Sequence, residues 1–418
     1  MSTPPPSRLP RLLAALLFLV LLGVLVATFG DYGITVDEGV QHRYGRRIVR
    51  WYATLGAARE ATYTNDLYFY GGFFELVAQG VIALVPLETY DARHLAGALF
   101  GGLGVLAAWG IGSRLGGPWA GLVSGLFLAL TPRFYGEMFA NAKDVPFASL
   151  FALAAWAALK GSERRPGWRD VLLTGLGIGL AAGVRVAGIV LLPAVAALWL
   201  GCAWLRRPES REGVTSDGWV GGVVSALAGT LAISWTVMVA SWPWAQLDPL
   251  LNPLRAFQKF SRFWADASVF YDGRLLLSGD LPRSYLPNLF ALTLPGFYAI
   301  AFALGAIALA SWLRRRCPGP ADRALRTAWV AILAVAPVGW AVLQRTPVYN
   351  GIRHVLFVVP FLAVLAGVSA VAGLDGRSRR VRVAAAFGLA VAMAFTLVDM
   401  VQLHPYQYVY FNRMLAGG

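Results

Sequence analysis

Apolar runs long enough to cross a bilayer recur from residue 12 to residue 402, and arginines sit in the short links between them. Few folds tolerate that pattern. A segment inside lipid must satisfy its backbone polar groups internally, which leaves helices and closed barrels. A helical span needs roughly 20 apolar residues, and the runs here reach that length. They lack the short alternation of barrel strands. Only 14% of the 418 residues are charged and 57% are hydrophobic, whereas a soluble domain carries about 25% charged residues. The expected fold is therefore an all-α polytopic membrane protein of about 11 transmembrane helices, forming one domain over 1–418.

The charge balance sharpens this reading. The net charge is +14. A nucleic-acid surface would need basic patches interleaved with aromatics on a soluble face. Here arginine collects in short loops, as the positive-inside rule requires of cytoplasmic links, and no nucleic-acid partner is expected. Spans are expected at 12–29, 93–113, 118–135, 145–160, 170–184, 187–205, 219–242, 288–313, 327–343, 353–373 and 383–402. Arg114, the 160–170 loop, Arg206, Arg207, Arg211, the cluster from Arg314 to Arg326 and the cluster from Arg377 to Arg382 then fall inside. The amino terminus is cytoplasmic and the carboxyl end outside, in a multi-pass cell membrane. A cleaved signal peptide is the competing reading of 12–29. The run is long for a signal core, and no Ala-x-Ala precedes Asp31.

The outer face then collects a first loop 31–91, a short acidic loop 136–144, a long loop 243–287 and the tail 403–418. The segment 71–87 is apolar but carries Glu75 and Gln79. Letting it cross would move the basic 160–170 loop outside, so it reads as an interfacial or re-entrant helix. Cys202 and Cys317 both fall near expected cytoplasmic span ends, where a structural disulfide is not expected.

The candidates for chemistry lie on that outer face. Asp37-Glu38 follows the first span, and either acid could serve as a general base or help hold a cation. Two solvated loop acids are the plain alternative. Arg133, Glu137, Lys143 and Asp144 crowd into Thr131–Phe147 between two apolar runs. Ionisable groups in such a place cost roughly 2.5–3.5 kcal/mol at mid-bilayer and mark function by default. Asp144 could also cap the following helix, with Pro146 in its first turn. Arg185, in Gly183-Val-Arg-Val-Ala-Gly188, stands outside against the positive-inside pattern. It calls for an anionic partner such as phosphate, or else snorkels to the headgroups. Arg353-His354 opens the tenth span and suits a phosphate in the same way. His42 is a further candidate, as are Arg133 and Glu137. No P-loop, dinucleotide fingerprint, zinc spacing or GxSxG elbow is present.

Thr35-Val-Asp37-Glu38 and Pro132-Arg-Phe…Asn141-Ala-Lys-Asp144-Val-Pro-Phe147 together resemble the two acidic outer loops of the C-type (GT-C) membrane glycosyltransferases. The similar branch includes protein O-mannosyltransferases and lipid A aminoarabinose transferases. Arg93-His-Leu, Gly183-Val-Arg185, Gly351-Ile-Arg-His354 and Pro405-Tyr-Gln-Tyr-Val-Tyr-Phe-Asn412 extend the resemblance over most of the chain. It implies a polyprenyl-phosphate sugar donor, an extracytoplasmic active site, Asp37 as base and Asp144 as a site acid, in some relatives a contact to a divalent metal ion. Lys143, Arg185, Arg353 and His354 are then the expected partners of the lipid phosphate. The acceptor is open: protein, lipid or glycan. A single displacement would invert the anomeric carbon. The competing class is a transporter or flippase for lipid-linked sugars. Such proteins often show two related halves with matching broken helices, a symmetry this chain lacks.

Overall fold

The computed structural model describes residues 8–206, 216–261, 267–315 and 321–416. Arg207, Arg211, Arg262, Arg316 and Cys317 lie outside the described residues, and nothing structural attaches to their expected positions. The element order is α1 (Leu9–Thr28), α2 (Glu38–Ala53), α3 (Phe73–Leu84), α4 (Thr89–Gly116), α5 (Pro118–Ala129), α6 (Pro132–Ala140), α7 (Asp144–Gly161) and α8 (Trp168–Ala182). These are followed by α9 (Leu191–Leu205), α10 (Ser216–Ala240), α11 (Pro243–Leu247), α12 (Leu251–Ser261), β1 (Ser268–Tyr271) and β2 (Arg274–Leu277). The last elements are α13 (Tyr285–Thr293), α14 (Gly296–Arg315), α15 (Ala321–Leu343), α16 (Val359–Leu374), α17 (Arg379–Gln402) and α18 (Arg413–Ala416).

The expected spans fall mostly on helices, though 118–135 and 288–313 are each broken in two, and the count of eleven is not established. Among the described residues 7 helices are long and apolar enough to cross, or up to 9 if each of two bent pairs is one span. The expected span 118–135 breaks at Leu130–Thr131. Its first part, α5, has 12 residues, about 18 Å at the helical rise and too short for a full crossing. The expected span 170–184 corresponds to α8, with 15 residues. α6 and α7 meet at 115° and α13 and α14 at 103°. Each bent pair is a broken span or a re-entrant segment. α3, with 12 residues, is a short apolar helix within the segment 71–87.

α4 is the hub. Ten of its sixteen buried residues are glycine or alanine, among them Ala96, Gly97, Gly101, Gly104, Ala107, Ala108 and Gly110. α5, α7 and α16 pack closely against it, and α6 crosses it at Gly97 and Gly101. A Cβ at Gly97 would strike the Met138 carbonyl, and one at Gly101 the Met138 side chain. Small residues let helices approach closely where lipid supplies no hydrophobic drive between them. The acidic segment is thereby pressed onto the centre of the bundle.

The basic links gather at one end. Arg114 pairs with Glu163 at 2.6 Å, Arg326 reaches the same Glu163 at 4.0 Å, and Arg206 and Arg326 both hold Asp322. α7 starts at Asp144 and ends at Gly161. Its 18 residues separate the acidic segment from the basic links by about 27 Å.

The long loop 243–287 is more ordered than its sequence suggests. It holds α11, α12 and an antiparallel hairpin in which Tyr271 pairs with Arg274. Asp272 and Gly273 take φ of 52° and 71°. A two-residue Asp-Gly turn with both φ positive matches the twist of paired strands.

Candidate active site

The polar cluster is assembled from helix ends. Asp37 immediately precedes α2, but its carboxylate makes no capping bond and stays 55% exposed. Asp144 opens α7 and is buried, at 3%. Arg353 joins them: its Nη2 lies 3.3 Å from Asp37 Oδ2, and its Nε 3.4 Å from Asp144 Oδ2. Arg185, at the break after α8, forms an ion pair with the other oxygen of Asp144. The two acidic loops, remote in sequence, thus converge on one guanidinium.

Asp144 does not cap its helix. Asn141 does that work, with Oδ1 accepting from the backbone N–H of Asp144 at 2.8 Å and of Lys143 at 3.2 Å. Its amide nitrogen donates to Asp144 Oδ2 at 2.8 Å and to Glu137 Oε2 at 2.7 Å. A short amide side chain that binds the backbone two and three residues on is a local turn device. With the cap supplied by Asn141, the Asp144 carboxylate is free to hold two arginines.

Lys143 and Arg185 share the ring of Tyr70. The ammonium sits 4.2 Å from the ring centroid and the guanidinium 5.7 Å. Burial, then the neighbouring Arg185 charge, pushes Lys143 down to about 8, with Asp37, Asp144 and Glu75 opposing. Tyr70 is fixed through its chain neighbours. Gly72 N–H donates to Ser241 O at 3.2 Å, and Phe73 N–H to Gly183 O at 2.9 Å. A Cβ at Gly71 would collide with the Gly183 carbonyl, so this approach requires glycine.

Glu38 faces elsewhere. It is 2% exposed, its Oε2 accepts from Thr35 N–H at 2.7 Å and Thr35 Oγ1 at 3.1 Å, and its Oε1 lies 2.9 Å from His94 Nε2. It ties the turn bearing Asp37 to α4. His42 is half-buried and bonds Gln79 Nε2 at 3.1 Å; burial, then Arg93, lowers its pKa. Arg133 turns to the carboxyl tail, donating from Nε to Tyr410 O at 3.2 Å and lying 5.1 Å from the Phe411 ring centroid. His354 packs edge-on against Tyr349, with ring centroids 4.7 Å apart. The helix start expected at Arg353-His354 is a 3-10 turn, Arg353–Val358, and α16 begins at Val359. Residues near the cluster that sequence reasoning did not single out as site candidates are Tyr70, Asn141 and the buried pair Glu75–Arg93, joined at 2.7 and 3.0 Å. Asn141-x-x-Asp144 before an apolar helix, and one charge of each sign in neighbouring apolar segments, were the available signals.

Asp144 is a poor cation ligand as placed. Both of its oxygens face guanidinium groups, and one also accepts from Asn141. Among the described residues no group of three or more His, Cys, Asp or Glu could hold a metal ion. The donor set fits an anion between the arginines better than a divalent cation.

Residues 76–235 match the family model described as dolichyl-phosphate-mannose-protein mannosyltransferase. No curated protein matches. Among solved structures, ArnT from Cupriavidus metallidurans bound to undecaprenyl phosphate aligns with a TM-score of 0.61 at 18% identity, covering 93% of this chain and 64% of that one. The oligosaccharyltransferase AglB from Archaeoglobus fulgidus, in complex with an inhibitory peptide and a dolichol-phosphate, aligns at 0.54 and 14% identity, covering 94% and 56%. The chain thus spans about three fifths of the length of the structures it matches. At these identities the likeness speaks for the fold, and the fold is that of the GT-C polytopic membrane glycosyltransferases.

Proposed function

We propose that this protein transfers a sugar from a polyprenyl-phosphate-linked donor to an acceptor, at the end of the bundle where Asp37 and Asp144 meet. One observation carries the reading: an exposed carboxylate, Asp37, stands beside a buried one, Asp144, that anchors two arginines. The family match over 76–235 and the fold support it.

The chemistry follows from the leaving group. A lipid phosphate departs as an anion and needs positive charge more than a proton. Arg185, Arg353 and Lys143 supply it, pre-oriented by Asp144 and Tyr70, so little reorganisation is needed as charge develops. Asp37 is the accessible base. It takes the acceptor proton while the acceptor attacks the anomeric carbon opposite the departing phosphate, with inversion. Base help of this kind is worth typically 100- to 10,000-fold. Glu38 positions Asp37 by holding Thr35 and His94. His354 completes the phosphate side and Glu137 supports Asn141, whereas His42 and Arg133 shape the surroundings. By the positive-inside rule we read the arginine links as cytoplasmic and the cluster as extracytoplasmic.

The test uses membranes supplied with a polyprenyl-phosphate sugar. The wild type should release free polyprenyl phosphate, and Asp37→Asn and Asp144→Asn should not. Undiminished release by both variants would remove the assignment, and a donor that crosses the bilayer intact would favour transport.

A further inference from the structure

A surface groove of about 570 Å³ lies between α8 and α10, at the end carrying the basic links. Its walls include Val171, Leu172, Ala226 and Ile233, and its mouth Arg165 and Trp168. The volume is that of an ordinary small-molecule site. Both helices present apolar side chains outward, with Leu173 50% and Leu231 49% exposed, and Trp168 is 69% exposed. Tryptophan in that position marks a membrane–water interface.

The charges around the mouth are unevenly matched. Arg164 pairs with Asp170 at 3.0 Å and Arg114 with Glu163 at 2.6 Å. Arg165 has no ion pair or hydrogen bond among the described residues, and its guanidinium is drawn over the backbone of α10 at Gly222, where a Cβ would collide with it. Among the described residues Arg169 meets only the Trp168 ring, at 5.2 Å. An unpaired guanidinium above an apolar slot open to lipid lacks an anion, and phosphate fits its planar fork.

We propose that this groove binds an anionic glycerophospholipid of the leaflet facing the basic links. The phosphate sits on Arg165, and an acyl chain runs along Val171, Leu172 and Ile233. The 18 residues of α7 set the Arg165 end of this groove about 27 Å from Asp144, so the phosphate held there is not that of the sugar donor.

The test is native mass spectrometry of the full chain in detergent. Phosphatidylglycerol, phosphatidylcholine or undecaprenyl phosphate is added separately. The wild type should retain phosphatidylglycerol about fivefold better than phosphatidylcholine, the preference expected of one basic residue at the surface. Arg165→Gln should abolish that preference. Ser225→Trp, or the milder Ala226→Leu, should lower retention of both lipids by filling the slot. Asp37→Asn should change neither. Unaltered phosphatidylglycerol retention by Arg165→Gln overturns the proposal. So does undecaprenyl phosphate that is retained better than phosphatidylglycerol and is lost on Ser225→Trp.

Discussion

The guanidinium of Arg353 lies 3.3 Å from the carboxylate of Asp37, although 316 residues separate them in the chain. The contact joins an exposed carboxylate to a guanidinium whose side chain is 21% exposed. It also gives Arg353 two loads, since Asp144 holds its Nε side at 3.4 Å. Replacing Arg353 with Lys should keep the charge but lose the two-sided fork. We expect kcat to fall about tenfold or more with a smaller change in KM, and Arg353→Gln to lose more in both. Steady-state kinetics with a polyprenyl-phosphate sugar would show it, and equal kinetics for Lys and Arg would contradict the bridging role.

The pairing of Glu38 with Thr35 and His94 predicts a different signature. Glu38→Ala removes the tie between the Asp37 turn and α4 and leaves buried partners unsatisfied, at a cost of about 1–3 kcal/mol. Thermal stability and turnover should fall together. Glu38→Gln retains an acceptor for Thr35 N–H and should recover most of both. Were Glu38→Gln as inactive as Asp37→Asn while folding normally, Glu38 rather than Asp37 would be the base.

Glu75 and Arg93 form a fully enclosed ion pair, with side chains 7% and 1% exposed. Breaking such a pair from one side typically costs about 3–5 kcal/mol, because the remaining charge is stranded. Glu75→Ala should lower the melting temperature sharply. The double change Glu75→Leu with Arg93→Met should recover much of the loss. If the double variant is as unstable as the single one, the damage comes from packing and not from charge.

Lys143 gives a pH dependence. Its folded pKa is depressed from 10.5 to about 8. Between those values the unfolded chain binds the proton more readily than the folded one, so stability rises with pH across that window. The destabilising cost of the buried charge is present below pH 8. Phosphate binding moves the other way, because Lys143 loses its charge above pH 8. Affinity for undecaprenyl phosphate should therefore decline above about pH 8 in the wild type and stay flatter in Lys143→Arg. Identical profiles for the two proteins would show that Lys143 does not contact the phosphate.

The chain's own pattern settled much of the architecture. The apolar runs made it helical and membrane-embedded, and the arginine links, which do gather at one end, predicted which loops lie together. Run length is a property of the chain itself, because lipid forces each segment to satisfy its own backbone. The breaks were less legible: hydropathy continues through Leu130, while the bends between α6 and α7 and between α13 and α14 depend on what packs beside them. The Asp272-Gly273 hairpin was marked by its turn residues, yet its strands are too short to declare themselves. Within the site, composition placed Asp37, Glu38, Asp144, Arg185 and Arg353 on one face but could not rank them. Only tertiary packing sends Glu38 inward to His94 and leaves Asp37 exposed. Packing likewise gives the capping task to Asn141 and brings Tyr70 under Lys143. Adjacent acids look alike in sequence, and their difference arises from which one the neighbouring helix buries.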